Sequence, residues 1–416
     1  MKKVVVIGSG AVGLCTAYYL QKEGFSVHVV TASEEGSETD CSYGNAGMVV
    51  PSHFVPLAAP GIIKQGMKWM LSSTSPFYIK PRLNADLLKW LWHFYASANQ
   101  KNVDRSKLVL RDLNLASRDL FKDIQSSEQT NFSFEQKGLL MLFKTAKYQD
   151  EEEEMALKAQ KLGIDAVIKT KEEILSLEQA LIPDVLGGIL YKSDAHMDPN
   201  LFMKKMLGIL KSKGVEFSFS SAITGFETDK DRIKSILTTK GKIDTQEIVV
   251  CAGTWSQNVM KLLNVNIPIQ GGKGYSMTIP NVKNNLIHPT ILCEAKIAMT
   301  PIGDSLRVAG TMEIAGNDLS IRQTRLNGIK EQVPNFLKGF DKKWFNNIDP
   351  WVGLRPVSPD GLPYIGKTKH WRNVTINAGH AMMGLSLAPI SGKLTSELLA
   401  NKKTTLDILI LTPERF

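Results

Sequence analysis

Three glycines near the start of the chain, Gly8, Gly10 and Gly13, have the spacing of a loop that binds the phosphates of a dinucleotide. They follow the β-branched run Val4–Ile7, which is typical of a strand buried on both faces. A helical stretch and a second apolar run, Phe25–Thr31, complete the order strand, loop, helix, strand. In that order Gly8 permits a tight turn, Gly10 lets the backbone approach a pyrophosphate, and Gly13 lets the helix pack on the sheet. A glycine-rich turn without a ligand is the alternative.

The first turn of the helix is where we expect the pyrophosphate. Ala11 and Val12 have backbone N–H groups there with no partner inside the helix, at the positive end of its dipole. One position departs from the pattern: Thr31 stands where an acidic residue normally ends the second strand and binds a ribose hydroxyl. Thr31 can form one hydrogen bond, and Ser33 or Glu34 could also reach the ribose, so this contact stays open.

Composition limits the classes of function. A chain of 416 residues exceeds one usual core, which favours two domains. The net charge of +9 comes from scattered Lys and Arg, so we expect no nucleic-acid partner and favour a carboxylate substrate or an acidic membrane surface. The four cysteines lack the spacing of a zinc site, so we predict no metal site and a reducing, cytoplasmic location. The first apolar run is too short for a signal peptide.

Several segments resemble a known family, the D-amino-acid dehydrogenase branch of the FAD-dependent D-amino-acid oxidase, glycine oxidase and sarcosine oxidase superfamily. The resemblance covers nearly the full length, with its motifs in the expected order, and it implies an oxidoreductase with noncovalent FAD. These motifs are Cys41-Ser-Tyr-Gly-Asn-Ala-Gly-Met-Val-Val-Pro-Ser, Pro56-Leu-Ala-Ala-Pro-Gly61, Lys68-Trp-Met, Lys273-Gly-Tyr-Ser, Trp351-Val-Gly-Leu-Arg-Pro356, Pro359-Asp-Gly-Leu-Pro363 and Gly379-His380.

The same resemblance implies further contacts to FAD from small residues and backbone groups. A glycine-rich segment would lie against the flavin ring, although a surface turn has the same composition. A buried strand ending in Ala-Gly would supply the second dinucleotide contact, and the last helix would point its N-terminus at the flavin, where its dipole stabilises negative charge. A plain glycine-capped helix is the alternative there. The implied residues are Ser42, Asn45, Ala46, Gly47, Ile223, Ala252, Gly253, Gly353, Gly379, His380 and Gly384.

Oxidation of an α-amino acid requires a group that holds its carboxylate. A guanidinium is the best candidate because it donates two parallel hydrogen bonds. The resemblance assigns this role to Arg355; an ion pair with Asp360 is the structural alternative. Tyr275 is predicted to add its hydroxyl to the clamp, and His380 to adjust the flavin or the pKa of the amine, although a structural histidine is equally compatible with the sequence. The two other predicted pocket residues are His53 and His196.

The predicted fold is α/β, with a Rossmann-type FAD-binding domain into which a mixed-sheet substrate domain is inserted. The FAD-binding domain is expected to comprise residues 1–50, 145–258 and 346–416. The substrate domain is expected to comprise residues 51–144 and 259–345.

The predicted reaction is oxidation of the C–N bond of a small D-amino acid or cyclic imino acid, with electrons passed to quinone or another acceptor. The segment Lys64–Ala96 contains Trp69, Trp90, Trp92 and several lysines. It is compatible either with a helix buried against the sheet or with a patch that touches the inner face of the cell membrane, where quinone would be reached. The alternatives are an oxygen-using oxidase of the glycine and sarcosine type, a nicotinamide-dependent reductase, and a noncatalytic flavin-binding protein.

Overall fold

The computed structural model describes residues 1–70, 75–180 and 184–416. The strands in these ranges are β1 (Lys3–Ile7), β2 (Ser26–Val30), β3 (Met48–Val49), β4 (Phe77–Ile79), β5 (Leu139–Phe143), β6 (Ala166–Thr170), β7 (Gly187–Tyr191), β8 (Ala195–His196), β9 (Glu216–Ser218), β10 (Ile223–Asp229), β11 (Arg232–Thr238), β12 (Gly241–Asp244), β13 (Glu247–Val250), β14 (Gln270–Ile279), β15 (Thr290–Leu292), β16 (Ile297–Ile302), β17 (Ser305–Ile314), β18 (Trp351–Val357), β19 (Tyr364–Lys367) and β20 (Val374–Ala378). The α-helices are α1 (Ala11–Lys22), α2 (Ile62–Met70), α3 (Ala85–Ser97), α4 (Gln100–Ser127), α5 (Ala146–Lys161), α6 (Lys171–Leu177), α7 (Pro199–Ser212), α8 (Ser256–Lys261), α9 (Gln323–Gln332) and α10 (Ala388–Leu399). Short 3-10 helices are formed by Gly253–Trp255, Val333–Asn335, Lys342–Phe345, Ala381–Met383 and Leu409–Leu411.

A six-stranded sheet has the N-terminal strand near its centre. Its order is β19-β20-β13-β1-β2-β9, and each neighbouring pair is parallel except β19 with β20. Val4 and Val6 pack into a core with α1 and α7, whereas Val5 and Ile7 pack on the other face with β11 and α8. Burial on both faces explains the unbroken β-branched run of β1. The predicted α/β fold with a Rossmann-type half is confirmed.

A nine-stranded sheet forms the second half of the molecule. Its order is β18-β14-β17-β16-β15-β5-β7-β6, with β4 added beside β17. β15 runs parallel to β5 and β17 parallel to β4, while the other neighbours are antiparallel. The sheet is therefore mixed, as predicted.

The predicted domain limits do not coincide with the change from one sheet to the other. Strands β6 and β7 lie within the segment 145–258 that was assigned to FAD binding, yet β7 pairs with β5 and β6 with β7 in the nine-stranded sheet. β18 lies within 346–416 and pairs with β14 in the same sheet. Sheet partners can be far apart along a chain, so a local sequence pattern does not reveal which sheet a strand joins. The exact domain boundaries remain a prediction.

The segment 64–96 forms α2, β4 and α3, apart from residues 71–74, which lie outside the described residues. Helix α3 has a buried and an exposed face. The indole Nε1 of Trp90 is buried and donates to the Val357 carbonyl at 2.8 Å. Trp92 and Tyr95, in contrast, are 68% and 66% exposed. The interpretation as a buried helix therefore holds for one face of α3, and contact with a membrane stays a prediction. None of the helices in the three described ranges has the length and apolar character that a membrane crossing requires.

Candidate active site

A cavity of about 1540 Å³ connects the two sheets. The ends of β1, β2 and β13 border it on one side, and β14 and β17 border it on the other. Helices α2 and α3 supply an apolar wall. Small-molecule sites commonly enclose roughly 300–1,000 Å³. The volume is therefore sufficient for a dinucleotide and a small substrate together.

Most of the predicted site residues line this one cavity, although they come from distant parts of the sequence. The structure brings together Gly8, Gly10, Ala11, Val12, Thr31, Ser42, Asn45, Ala46, His53, Ile223, Ala252, Gly253, Tyr275, Gly353, Arg355, His380 and Gly384.

Four predicted site residues lie behind the cavity wall. A Cβ on Gly13 would lie 2.0 Å from the Gly8 carbonyl oxygen, so this glycine serves the close packing of α1 on its loop. Gly47 and Gly379 have φ values of 77° and 80°, which only glycine adopts easily, and they shape the turns around the site. His196 pairs with β3 and is buried. It is not among the residues that line the cavity, although Met48, with which it pairs, is, so its predicted place in the substrate pocket is corrected.

The phosphate end of the cavity is the N-terminus of α1. Gly10 is the N-cap residue and has no side chain to cap the helix, and the first turn carries no acidic residue. Gly8 has a φ of 114°, and a Cβ there would lie 2.5 Å from the Cys251 carbonyl oxygen. The backbone N–H of Ala11 donates to Ser42 Oγ at 2.9 Å, which ties the loop at residue 42 to the helix. A helix end of this kind attracts a pyrophosphate.

The ribose end contains an acidic residue that the sequence interpretation missed. Ser9 Oγ lies 3.0 Å from Thr31 Oγ1 and 3.3 Å from Asp40 Oδ2. Ser33 Oγ donates to the other Asp40 oxygen at 2.8 Å, and all four residues line the cavity. Glu34, which the sequence offered as a ribose contact, is not among the lining residues. Burial raises the pKa of Asp40, and its hydrogen bonds to Ser33 and Ser9 act in the opposite direction.

Arg355 brings a half-buried positive charge to the opposite end of the cavity. Its guanidinium lies over Gly274, where a Cβ would be 2.1 Å from Nη1, and Nη1 donates to the Thr311 carbonyl at 2.8 Å. Thr311 has a φ of 70°, which is an unfavourable conformation for a β-branched residue. It is the residue whose carbonyl accepts the hydrogen bond from Arg355. Burial lowers the pKa of Arg355, and Cys41 nearby acts against this.

The expected alternative for Arg355, an ion pair with Asp360, is wrong. Asp360 is fully buried and pairs with Arg415 at 2.8 Å and with Arg105 at 3.2 Å. Across the described ranges, Arg355 forms no ion pair with a carboxylate. A charge that is partly removed from water is stabilised by an opposite charge, so this guanidinium favours an anion in the cavity.

Three other arginines are further candidates for binding a carboxylate, but their side chains have other partners in the structure. Arg307 is buried on β17 and donates to the carbonyls of Tyr43 and Asn45 at 2.9 and 2.8 Å, so it holds the loop against which the flavin is expected. Arg325 donates to Ser75, and Arg322 pairs with Glu313 at 3.4 Å. None of the three is among the lining residues.

Tyr275 and His380 both line the cavity, but their polar atoms already have protein partners. The Tyr275 hydroxyl donates to Glu313 Oε1 at 2.5 Å and accepts from the Arg322 N–H at 3.1 Å. Burial raises the pKa of Tyr275 above its usual value. The predicted role of the Tyr275 hydroxyl in the carboxylate clamp is corrected, because this hydroxyl already donates its one proton to the buried carboxylate of Glu313. His380 Nε2 lies 2.9 Å from Ser391 Oγ, and burial lowers the pKa of His380 to about 3, so its ring is neutral.

The residues present fit FAD. The positive end of α1 is free of acidic side chains, and hydroxyl and carboxylate groups surround the expected ribose position. Asn377 also borders the cavity, and its Oδ1 is buried without a hydrogen-bond partner in the described part of the chain. An unsatisfied buried oxygen beside a cavity is consistent with a polar ligand.

Several known proteins are similar to this chain over nearly its full length. A D-amino acid dehydrogenase of Granulibacter bethesdensis is 32% identical over 421 residues, covering 100% of this chain and 99% of the relative. One of Vibrio atlanticus is 33% identical over 405 residues, covering 96% of each. The fold is similar to that of glycine oxidase from Geobacillus kaustophilus, with a TM-score of 0.79, 18% identity and full coverage of both chains. It is also similar to L-proline dehydrogenase from P. horikoshii, with a TM-score of 0.74, 21% identity, and 100% and 97% coverage. The family model described as FAD dependent oxidoreductase matches residues 3–398, and the chain therefore belongs to that family.

Proposed function

We propose that this FAD-dependent oxidoreductase oxidises the C–N bond of a small D-amino acid or cyclic imino acid to give the imino acid. The observation that carries the proposal is Arg355, a half-buried guanidinium in the cavity wall whose charge lacks a carboxylate partner in the described ranges. The relatives named D-amino acid dehydrogenase support an amino-acid substrate.

Arg355 would receive the substrate carboxylate. The bond from Nη1 to the Thr311 carbonyl and the lack of a side chain at Gly274 fix the plane of the guanidinium, so its remaining N–H groups are oriented in advance. When bound, FAD would supply the acceptor of a hydride from the substrate α-carbon. The contribution of the chain is to hold the α-carbon at a fixed distance and exclude water, which accounts for much of the rate in reactions without an obligate base.

For the cofactor, we propose that the N-terminus of α1 holds the pyrophosphate and that Thr31 and Asp40 share the ribose hydroxyls. Thr31 and Asp40 are already linked through Ser9, so one ligand hydroxyl can enter the same hydrogen-bond group. The 41–47 loop, which Arg307 holds from behind, would lie along the flavin ring. The turn that contains His380 and Gly384 would face the edge of the flavin ring.

The proposed electron acceptor is a membrane quinone. The apolar wall of the cavity continues through α2 and α3 to a surface patch that includes Met67, Trp92 and Tyr95, which are 61%, 68% and 66% exposed. Lys68 and Lys89 are exposed beside these side chains. Lysine together with interfacial aromatic residues suits an anionic bilayer surface. This position supports peripheral contact with the inner face of the cell membrane.

The test is an anaerobic titration of the purified holoprotein with a panel of D-amino acids, L-amino acids and cyclic imino acids, hydroxyprolines included. We expect the visible flavin absorption to bleach with a D-amino acid or cyclic imino acid and to return when a quinone analogue is added. Bleaching by glycine or sarcosine alone, followed by fast reoxidation in air, would instead support an oxidase. Glycine oxidase is the name of one protein with a similar fold. A flavin that no panel member reduces would contradict the proposal.

A further inference from the structure

A chain of hydrogen bonds leads from the cavity wall into the core. His53 lines the cavity, and its Nδ1 lies 3.0 Å from Ser52 Oγ. Ser52 Oγ donates in turn to Asp194 Oδ2 at 2.5 Å. The backbone N–H of Ser52 donates to Asp194 Oδ1 at 3.0 Å, so both carboxylate oxygens are held. Asp194 lies in the turn between β7 and β8 and is fully buried.

This chain has two proton arrangements with the same heavy-atom positions. When Asp194 is ionised, Ser52 donates to it and accepts from Nδ1–H of neutral His53, which leaves the lone pair on Nε2. When Asp194 is protonated, it donates to Ser52, Ser52 donates to Nδ1, and the ring carries its proton on Nε2. A proton taken up at Nε2 thus ends on Asp194, and no net charge remains on the imidazole.

We propose that His53, Ser52 and Asp194 form a proton relay that takes up the ammonium proton of the amino-acid substrate, an inference that rests on the proposed function. The substrate binds as an ammonium ion, whereas loss of a hydride from its α-carbon requires the amine lone pair. One N–H bond of the ammonium breaks and its electron pair stays on nitrogen. The proton moves to Nε2, the Nδ1 proton moves to Ser52, and the Ser52 proton moves to Asp194. The reverse sequence returns the proton to water when the product leaves.

The charges around the chain favour this division of tasks. Burial lowers the pKa of His53 to about 4, and the ammonium of Lys296 acts in the same direction, so the ring is a neutral carrier. Burial raises the pKa of Asp194 to about 7, against the Ser52 hydrogen bonds and the charge of Arg118. Glu151 is an acidic residue that lines the cavity on the side of Lys296. Because an ionised Asp194 accepts the proton, the relay operates above about pH 7 and is lost as the pH falls through that value.

The kinetic test measures the limiting rate of flavin reduction against pH by anaerobic stopped flow. Ser52→Ala removes the middle of the relay, Ser52→Thr keeps a hydroxyl as the matched control, and Asp194→Asn keeps the shape but cannot accept a proton. Near neutral pH we expect Ser52→Ala and Asp194→Asn to be about 100-fold slower, with Ser52→Thr close to wild type. In alkaline solution, where the substrate arrives as the free amine, the rates should converge. If the rate of flavin reduction in Ser52→Ala and Asp194→Asn fell by the same factor at every pH, or did not fall at all, the relay would be overturned.

A second measurement needs no substrate and is therefore independent of the proposed function. The ¹⁵N shifts of histidine-labelled protein report which ring nitrogen carries the proton, and His53→Gln assigns the signal among the 7 histidines. Above pH 7 we expect the Nδ1–H form in wild type. In Asp194→Asn the amide donates to Ser52, so we expect the Nε2–H form. An unchanged tautomer in a folded variant would overturn the coupling, whereas failure of every amino acid to bleach the wild-type flavin would count against the proposed function.

Discussion

The two ends of the cavity are built in opposite ways. The proposed phosphate end consists of consecutive residues, 8–12, and would act through backbone N–H groups at the start of α1. The carboxylate end consists of one side chain, Arg355 on β18, held by β14 beneath it and by a carbonyl of β17 that lies 44 residues away in sequence. A site made of backbone is encoded within one short segment, where it requires glycine at the points of close approach. A site made of one oriented side chain depends on several strands at once.

The largest effect is expected at the phosphate end. Gly10→Asp should give folded protein without FAD, because a carboxylate there would meet the pyrophosphate in both volume and charge. A Cβ at this position meets only Ser42 Oγ at 3.4 Å, so the fold itself should accept the change. Absorbance of the purified protein measures FAD content, and circular dichroism measures folding. Gly208→Asp on exposed α7, where a Cβ meets nothing within 4 Å, is the matched control. A full complement of FAD in Gly10→Asp would refute the assignment of this loop.

The next effect is expected at the carboxylate end. Arg355→Lys keeps the charge but loses the planar pair of donors, so kcat/KM should fall about ten- to a hundredfold through KM, for a loss of about 1.5–3 kcal/mol. FAD content should stay near that of wild type. Gly274→Ala should act in the same direction, because its Cβ would displace the guanidinium. Arg372→Lys, which is exposed and paired with Asp231, is the control. Normal kinetics in both cavity variants would show that the carboxylate is held elsewhere.

Asp40 tests whether the expected ribose contact depends on an acidic side chain. Asp40→Asn should weaken FAD binding about tenfold, since a charged acceptor of a ribose hydroxyl is worth roughly 1.5 kcal/mol. Glu35→Gln is the control, because Glu35 is exposed on the same loop and pairs with Lys211. The measurement is the Kd of FAD for apoprotein, followed by flavin fluorescence. Equal affinities of the two variants would mean that Asp40 only supports the loop.

The smallest effect is expected at the surface patch. Lys68→Gln should weaken binding to anionic lipid vesicles about fivefold at low salt, because one lysine near such a surface contributes about 1 kcal/mol. Lys240→Gln, exposed at the turn between β11 and β12, should have no effect. Sedimentation with vesicles of anionic and neutral lipid measures the binding. If the wild-type protein did not bind vesicles, the proposed contact with the membrane would be wrong. The proposed oxidation of the substrate would not be affected.

The difference between the two ends also explains what the sequence could predict. The glycine spacing and the apolar β1 predict the Rossmann-type half, which the structure confirms, and a phosphate site at its first loop, because each signal lies within one short segment. Arg355 was reached only through resemblance to a family, since nothing near it in sequence shows that it lies over Gly274. The sheet membership of β6, β7 and β18 was missed for the same reason: it depends on pairing with distant strands.

Side-chain partners were the least predictable feature. Tyr275 reaches the cavity as expected, but its hydroxyl binds Glu313, a residue on the neighbouring strand. Asp40 follows Thr31 by nine positions in a loop whose path the sequence does not determine, although an acid close after the second strand was an available signal. The Ser52–Asp194 bond joins residues 142 positions apart, which no local pattern announces.

The central claim is that Arg355 selects substrates by their carboxylate before the C–N bond is oxidised. The most direct measurement compares anaerobic flavin reduction by D-proline and by pyrrolidine, the same ring without the carboxylate, in wild type and in Arg355→Lys. The account predicts that wild type reduces its flavin at least tenfold faster with D-proline than with pyrrolidine at equal concentration, and that Arg355→Lys narrows this ratio. Equal rates with the two compounds in wild type would contradict it.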